Sequence, residues 1–163
     1  MSDQGHFILS REINTGKSSE LMQYVVCQIN RGLKVSGWIS PPFIKDNLKC
    51  GYDVVFFVLS RQLNAQRLIR EIPFDRASRW RRFYLDRSVF YQARTLDFGT
   101  PDLFIIDEVG PLELVDHEGF WPALADIYKK QRRTVTVVRR SSVTGFKREF
   151  GTISFAPFSC WER

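Results

Sequence analysis

Cysteine and histidine are scarce in this 163-residue chain: three cysteines, Cys27, Cys50 and Cys160, and two histidines, His6 and His117. Three thiols without metal-ligand spacing exclude a disulfide framework and a zinc site, and they fit a reducing, cytoplasmic setting. The histidines stand too far apart in sequence for a histidine-based metal cluster. Long apolar runs are also missing, and none approaches the ~20 residues a membrane helix needs. Met1 to Gln4 carries no charged start leading into an apolar core, so no export signal is expected. No repeat and no low-complexity linker interrupts the chain, and its length fits one domain spanning residues 1–163.

What is present is ordinary globular material. Hydrophobic residues make up 44% and charged residues 26%, which argues against disorder. The net charge is +6. Basic residues gather at Arg76, Arg79, Arg81, Arg82 and Arg87, again at Lys129, Lys130, Arg132 and Arg133, and again at Arg139, Arg140, Lys147 and Arg148. Such a balance favours anionic partners, nucleotides or nucleic acid among them, while the plainer reading is a solvated basic face. No motif supports nucleic acid beyond the charge itself.

Local patterns alternate between strand and helix. His6 to Leu9 is a short apolar run with a polar exit, and from Ser18 Leu21, Val25 and Ile29 recur at helical spacing up to Gly32. Val35 to Ile39 reads as a second strand broken by Pro41–Pro42, and Cys50 to Leu59 as a β-rich segment. Gln62 to Ile72 fits either helix or strand. Asp86 suits the cap of a helix carrying Val89, Phe90 and Ala93, which Thr100–Pro101 ends. Leu103 to Ile106 is a solidly apolar strand exiting at Asp107–Glu108. Phe120 to Lys130 is helical with Pro122 in its first turn, and Thr134 to Val138 is a further strand. The tail from Thr152 has no clear assignment. Solidly apolar strands alternating with helices predict an α/β fold, a mostly parallel sheet flanked by helices, with antiparallel strands attached around Gly37 to Leu59.

The chemistry concentrates in two places. Arg11-Glu12-Ile13-Asn14-Thr15-Gly16-Lys17-Ser18 occupies the position of a phosphate loop, G-x-x-x-x-G-K-[ST], between strand and helix. Its right half is intact. Such a turn aims backbone N–H groups from Asn14 to Ser19 at phosphate oxygens, and the helix N-terminus adds positive charge. Lys17 would reach the β- and γ-phosphates and the Ser18 hydroxyl would ligate Mg²⁺. Arg11 stands where the pattern has glycine, and Asn14 where an unusual backbone angle is common, which Asn tolerates. The second place is Asp107–Glu108. Asp107 suits a Mg²⁺ ligand, directly or through water, and Glu108 suits activating an attacking water. The two motifs come in the right order, each on the right element.

Asp107-Glu108-Val109-Gly110-Pro111-Leu112-Glu113-Leu114 resembles the "DE-hydrophobic-G-x-(M/L)-E-L" signature of the small thermophile-type P-loop nucleoside-triphosphatases, the THEP-like NTPases. Val35-Ser36-Gly37-Trp38 is similar to that family's second strand and Gly51-Tyr52-Asp53-Val54-Val55 to its hairpin strand, so the resemblance covers most of the chain. It implies a RecA-like α/β fold with an attached antiparallel hairpin, and Mg²⁺-dependent hydrolysis of NTP to NDP and phosphate with broad base preference, ATP or GTP included. Arg11 and Asn14 replace two glycines usual in the family's loop. Two alternatives stand beside hydrolysis: a nucleotide-binding module with little or no turnover, and a small P-loop kinase, for which the Arg76 to Arg87 run could form a lid.

Arg139 and Arg140 leave a core strand on the edge where such a sheet places its site. One of them could serve as an arginine finger in cis, although a solvated strand end is the preferred reading. Glu113 suits holding the turn after Asp107 by accepting backbone N–H bonds. Trp38, Trp80 and Trp121 read as core residues, and Cys27 as a small buried group.

Overall fold

The computed structural model describes residues 5–11 and 18–157. Strand β1 (Gly5–Arg11) leads toward helix α1 (Ser18–Asn30), which Gly32 ends, and the chain re-enters the sheet as β2 (Val35–Ile39). An antiparallel section follows: β3 (Pro42–Lys45), the long β4 (Leu48–Val58), β5 (Arg61–Gln62), β6 (Gln66–Arg70), β7 (Ser78–Trp80) and β8 (Phe83–Leu85). Helix α2 (Arg87–Thr95) brings the chain back to β9 (Leu103–Val109). The short helix α3 (Pro111–Leu114), helix α4 (Trp121–Lys130), β10 (Arg133–Arg139), a 3-10 turn, helix α5 (Val143–Glu149) and β11 (Phe155–Pro157) complete it.

The strands form one sheet in the order β11-β1-β10-β9-β2-β4-β6-β8-β7, with β3 and β5 also paired to β4. From β11 to β2 all neighbours are parallel, and from β2 onward they are antiparallel. The antiparallel attachment is therefore larger than a hairpin. Within it, Arg70 is a buried guanidinium that bonds Asp53 at 2.5 Å and the Tyr52 carbonyl at 2.7 Å, and lies over the Phe43 ring.

Burial on both faces explains the unbroken apolar run of β9 from Leu103 to Ile106 and the burial of every residue of β10 from Thr134 to Val138. One face packs Val35, Ile39, Leu103, Ile105, Val135 and Val137 against Leu21 and Val25 of α1. The other packs Trp38, Phe56, Phe104 and Ile106 against α2, α4 and α5 through Phe90, Phe120, Leu124 and Phe146. The buried threonines of β10 are satisfied: Thr136 Oγ1 meets Tyr128 Oη at 2.8 Å and Thr134 Oγ1 meets His6 Nδ1 at 3.0 Å. Gly37 on β2 has φ +118°, and a Cβ there would lie 2.0 Å from the Ile105 carbonyl oxygen, so the close β2–β9 approach demands glycine.

Several local expectations need correction. The Gln62 to Ile72 stretch forms strands β5 and β6, because its alternating burial suits a sheet lying over α2. Helix α2 is capped at its start by Asp86, which accepts from the Ser88 N–H, but it ends at Thr95, five residues before the expected stop. Strand β9 runs beyond Asp107 to Val109, which pairs with Val138. Cys27 is exposed, since α1 turns Leu21, Val25 and Gln28 inward and Cys27 falls on the opposite side. Of the three tryptophans read as core, only Trp38 is fully buried; Trp80 and Trp121 are half-buried. Among the described residues no helix is long and apolar enough to cross a membrane.

Candidate active site

Parallel strands that end together leave their C-terminal residues in one row, and in α/β sheets that row is where ligands bind. Here Arg11 at the end of β1 is the register partner of Arg139 at the end of β10. Val138 in turn pairs with Val109 of β9. The end of β1 is therefore one strand from Arg139 and two from the Asp107–Glu108 pair.

The two acids have separate surroundings. Asp107 is buried, at 1% exposure. Its Oδ2 accepts the Ser40 N–H at 3.1 Å, and its main-chain carbonyl accepts the Ser40 hydroxyl at 3.0 Å, which ties it to the end of β2. Glu108 turns to the other neighbour: Arg139 Nε donates to its Oε1 at 3.3 Å, both side chains being about a quarter exposed. Arg139 is thus ion-paired with Glu108 and not a fully solvated strand end. Arg140 begins the 3-10 turn and is exposed. Lys49, on β4, feels the charges of both Glu108 and Arg139. Burial holds its pKa below the usual lysine value, with Glu108 opposing that shift and Arg139 adding to it.

Beyond Glu108 a cavity of about 610 Å³ opens between the antiparallel strands and α3. Leu68, Leu112, Phe90 and Phe120 form its apolar wall; Lys49, Glu108 and Arg139 lie at its charged end, and Glu71, Arg81 and Arg82 also line it. Trp80 and Phe83 stack at one side, with ring centroids 6.3 Å apart. The β7–β8 hairpin that carries them is tied to the segment after α3, because Trp80 Nε1 donates to Asp116 Oδ2 at 2.8 Å and Arg81 Nη2 reaches the same oxygen at 3.5 Å.

Glu113 holds the turn after β9. Its Oε2 accepts the Gly110 N–H at 3.0 Å and its Oε1 the Phe120 N–H at 3.2 Å, so one carboxylate links the start of α3 to the start of α4. Complete burial pushes its pKa up from 4.5 to about 7, against the pull of those N–H groups. Gly119, at φ +61°, leaves room for it; a Cβ there would sit 2.4 Å from Glu113 Oε1.

Asn14, Thr15, Gly16 and Lys17 lie outside the described residues, as do the side chains of Arg11 and Ser18. Ser18 begins α1, and Ser19 in its first turn is exposed. Asp107 and Glu108 lie near the C-terminal end of β9. Ser40 and Lys49 carry no motif. The only sequence hint for Ser40 is that it follows a strand and precedes two prolines, while Lys49 reaches the site only because β4 folds back antiparallel onto β2.

A family model described as NTPase matches residues 6–155. No curated protein matches the chain. Among solved structures, a human cancer-related nucleoside triphosphatase is similar over 95% of this chain and 88% of its own, with TM-score 0.65 and 18% identity. THEP1 from the hyperthermophile Aquifex aeolicus is similar over 95% of this chain and 89% of its own, with TM-score 0.60 and 14% identity. At these identities the likeness shows the fold. With the family model spanning nearly the whole chain, the protein belongs to this NTPase family of nucleotide-binding proteins and has its RecA-like P-loop α/β fold.

Proposed function

We propose that the chain hydrolyses nucleoside triphosphates to the diphosphate and phosphate with Mg²⁺. The observation that carries this reading is the arrangement at the end of β9, where a buried Asp107 precedes a Glu108 that faces an open cavity beside Arg139. The Gly16-Lys17-Ser18 sequence between β1 and α1 and the family membership support it.

The donor set fits Mg²⁺. Among the described residues no group of three or more His, Cys, Asp or Glu could form a protein-only metal cage. Mg²⁺ is commonly held by one or two carboxylates together with substrate phosphates, and a single buried carboxylate beside hydroxyl oxygens suits that mode. Asp107 and Ser18 would hold the ion, which when bound would offset the phosphate charge. Lys17 and the backbone N–H groups from Asn14 to Ser19 bind the phosphate chain in this reading, with Arg11 at the entry to the loop. Glu108 takes the proton of the attacking water. Arg139, now bonded to Glu108, is near enough to the same edge to neutralise charge on the terminal phosphate.

Measuring phosphate release from ATP, GTP, CTP and UTP, with and without Mg²⁺, tests the proposal, with Lys17→Ala as blank. Release that needs both Mg²⁺ and Lys17 supports it. Tight nucleotide binding without release turns the assignment to a nucleotide-binding module. Release unchanged in Lys17→Ala removes the phosphate loop from the chemistry.

A further inference from the structure

The cavity beyond Glu108 is far larger than hydrolysis requires. An attacking water takes about 30 Å³ of liquid volume, whereas the cavity measures about 610 Å³, within the range of small-molecule sites. Its lining is also unsuited to a water reservoir: beside its charged and polar groups it presents Leu68, Leu112, Phe90 and Phe120, with the Trp80–Phe83 stack at the side. Phe90 and Phe120 meet edge to face, with centroids 4.7 Å apart.

Its described lining lies on the far side of Arg139 from β1. No described residue of β1, α1 or β11, the elements around the phosphate loop, lines it. The strand order puts Arg11, at the end of β1, on one side of Arg139 and β9, β2 and β4, which border the cavity, on the other. In the triphosphate reading above, the nucleotide is held from the β1 side with its terminal phosphate toward Glu108, which leaves the cavity open beyond it.

We infer that this cavity binds a second substrate, a flat-ringed molecule of nucleoside size whose hydroxyl group accepts the terminal phosphoryl group. The inference rests on the triphosphate reading above. The aromatic walls recognise a flat ring by edge and face contact. Glu108 stands at the boundary between the two ligands, where it can take a proton from a hydroxyl as readily as from water. Arg139 and Lys49 flank the point of transfer as positive charge. In the reaction the acceptor oxygen attacks the γ-phosphorus and a new P–O bond forms. The bond from the γ-phosphorus to the β,γ-bridging oxygen breaks, and its electron pair leaves on the nucleoside diphosphate. The hydroxyl proton passes to the Glu108 carboxylate and from there to solvent. Water attacks by the same route when the cavity holds no acceptor.

The test is incubation of the full chain with Mg²⁺ and ATP labelled on the γ-phosphate, adding adenosine, guanosine, cytidine, uridine or thymidine. Chromatography then separates labelled inorganic phosphate from labelled nucleoside monophosphate. Labelled monophosphate from at least one nucleoside, with a matching fall in free phosphate, is the expected result. Free phosphate at an unchanged rate with no labelled monophosphate overturns the acceptor site and leaves the hydrolase reading standing. Neither product overturns both. Ile69→Trp, which fills the cavity from β6, and Phe83→Ala, which removes its side wall, locate the transfer. Each should lower the ratio of transferred to released phosphate by about tenfold or more, the scale of disturbing one apolar contact in a substrate pocket. A ratio unchanged in both variants places transfer outside the cavity and overturns the assignment.

Discussion

Replacing Glu113 with Gln tests the physical account of the β9–α3 turn without touching the phosphate loop. The carboxylate accepts two backbone N–H groups, from Gly110 at 3.0 Å and Phe120 at 3.2 Å. Glutamine has one carbonyl oxygen, so its amide nitrogen must face one of those N–H groups. A buried N–H left without an acceptor costs about 1–3 kcal/mol, which is the expected loss of stability in mildly acid solution. The second effect depends on pH. Burial raises the Glu113 pKa from 4.5 to about 7 in the folded protein, a difference worth about 3 kcal/mol between its protonation states. Between those two values the native state binds more protons than the unfolded state. The stabilisation is thus complete below 4.5 and is lost as pH rises through about 7. Glutamine has no such titration, and all other groups are shared. The stability advantage of wild type over Glu113→Gln should therefore shrink with rising pH, by at most about 1.4 kcal/mol per pH unit. Urea unfolding of both proteins from about pH 5 to about pH 8, at equal m-values, gives the difference directly. A difference that stays flat over that range would refute the desolvation argument.

Three further outcomes follow from other residues. Glu108→Gln should still bind Mg²⁺–NTP but release phosphate roughly a hundredfold more slowly, within the usual general-base range, and near-normal turnover in a phosphate assay would exclude it as the base. Gly37→Ala drives a Cβ to 2.0 Å from the Ile105 carbonyl oxygen at a positive φ, so the sheet must open between β2 and β9; thermal unfolding should show a loss of several kcal/mol, at the upper end of single substitutions. Asp86→Ala removes the cap that accepts the Ser88 N–H at 3.0 Å, and should cost about 0.5–2 kcal/mol by urea titration.

Local chemistry determined a good part of this protein. Apolar runs long enough only for strands, at Leu103 to Ile106 and Thr134 to Val138, forced a sheet buried on both faces. Side-chain identity alone marked the Asp86 cap, the Pro122 helix start and the Asp107–Glu108 pair, because each depends on residues adjacent in sequence. Tertiary structure decided what depends on residues far apart. Gln62 to Ile72 carries no decisive period, and it became strand because β4 offered a long free edge for β6 to pair with. Cys27 is exposed because the α1 rotation is set by Leu21 and Val25 against the sheet, which spacing within one helix turn could not distinguish. Arg139 comes to Glu108 because two strands 31 residues apart lie in parallel register, and Lys49 joins them through the reversal of β4. The cavity has no linear signature at all: its walls come from β4, β6, the β7–β8 hairpin, α2 and α3, and only their packing around one sheet edge leaves that volume open.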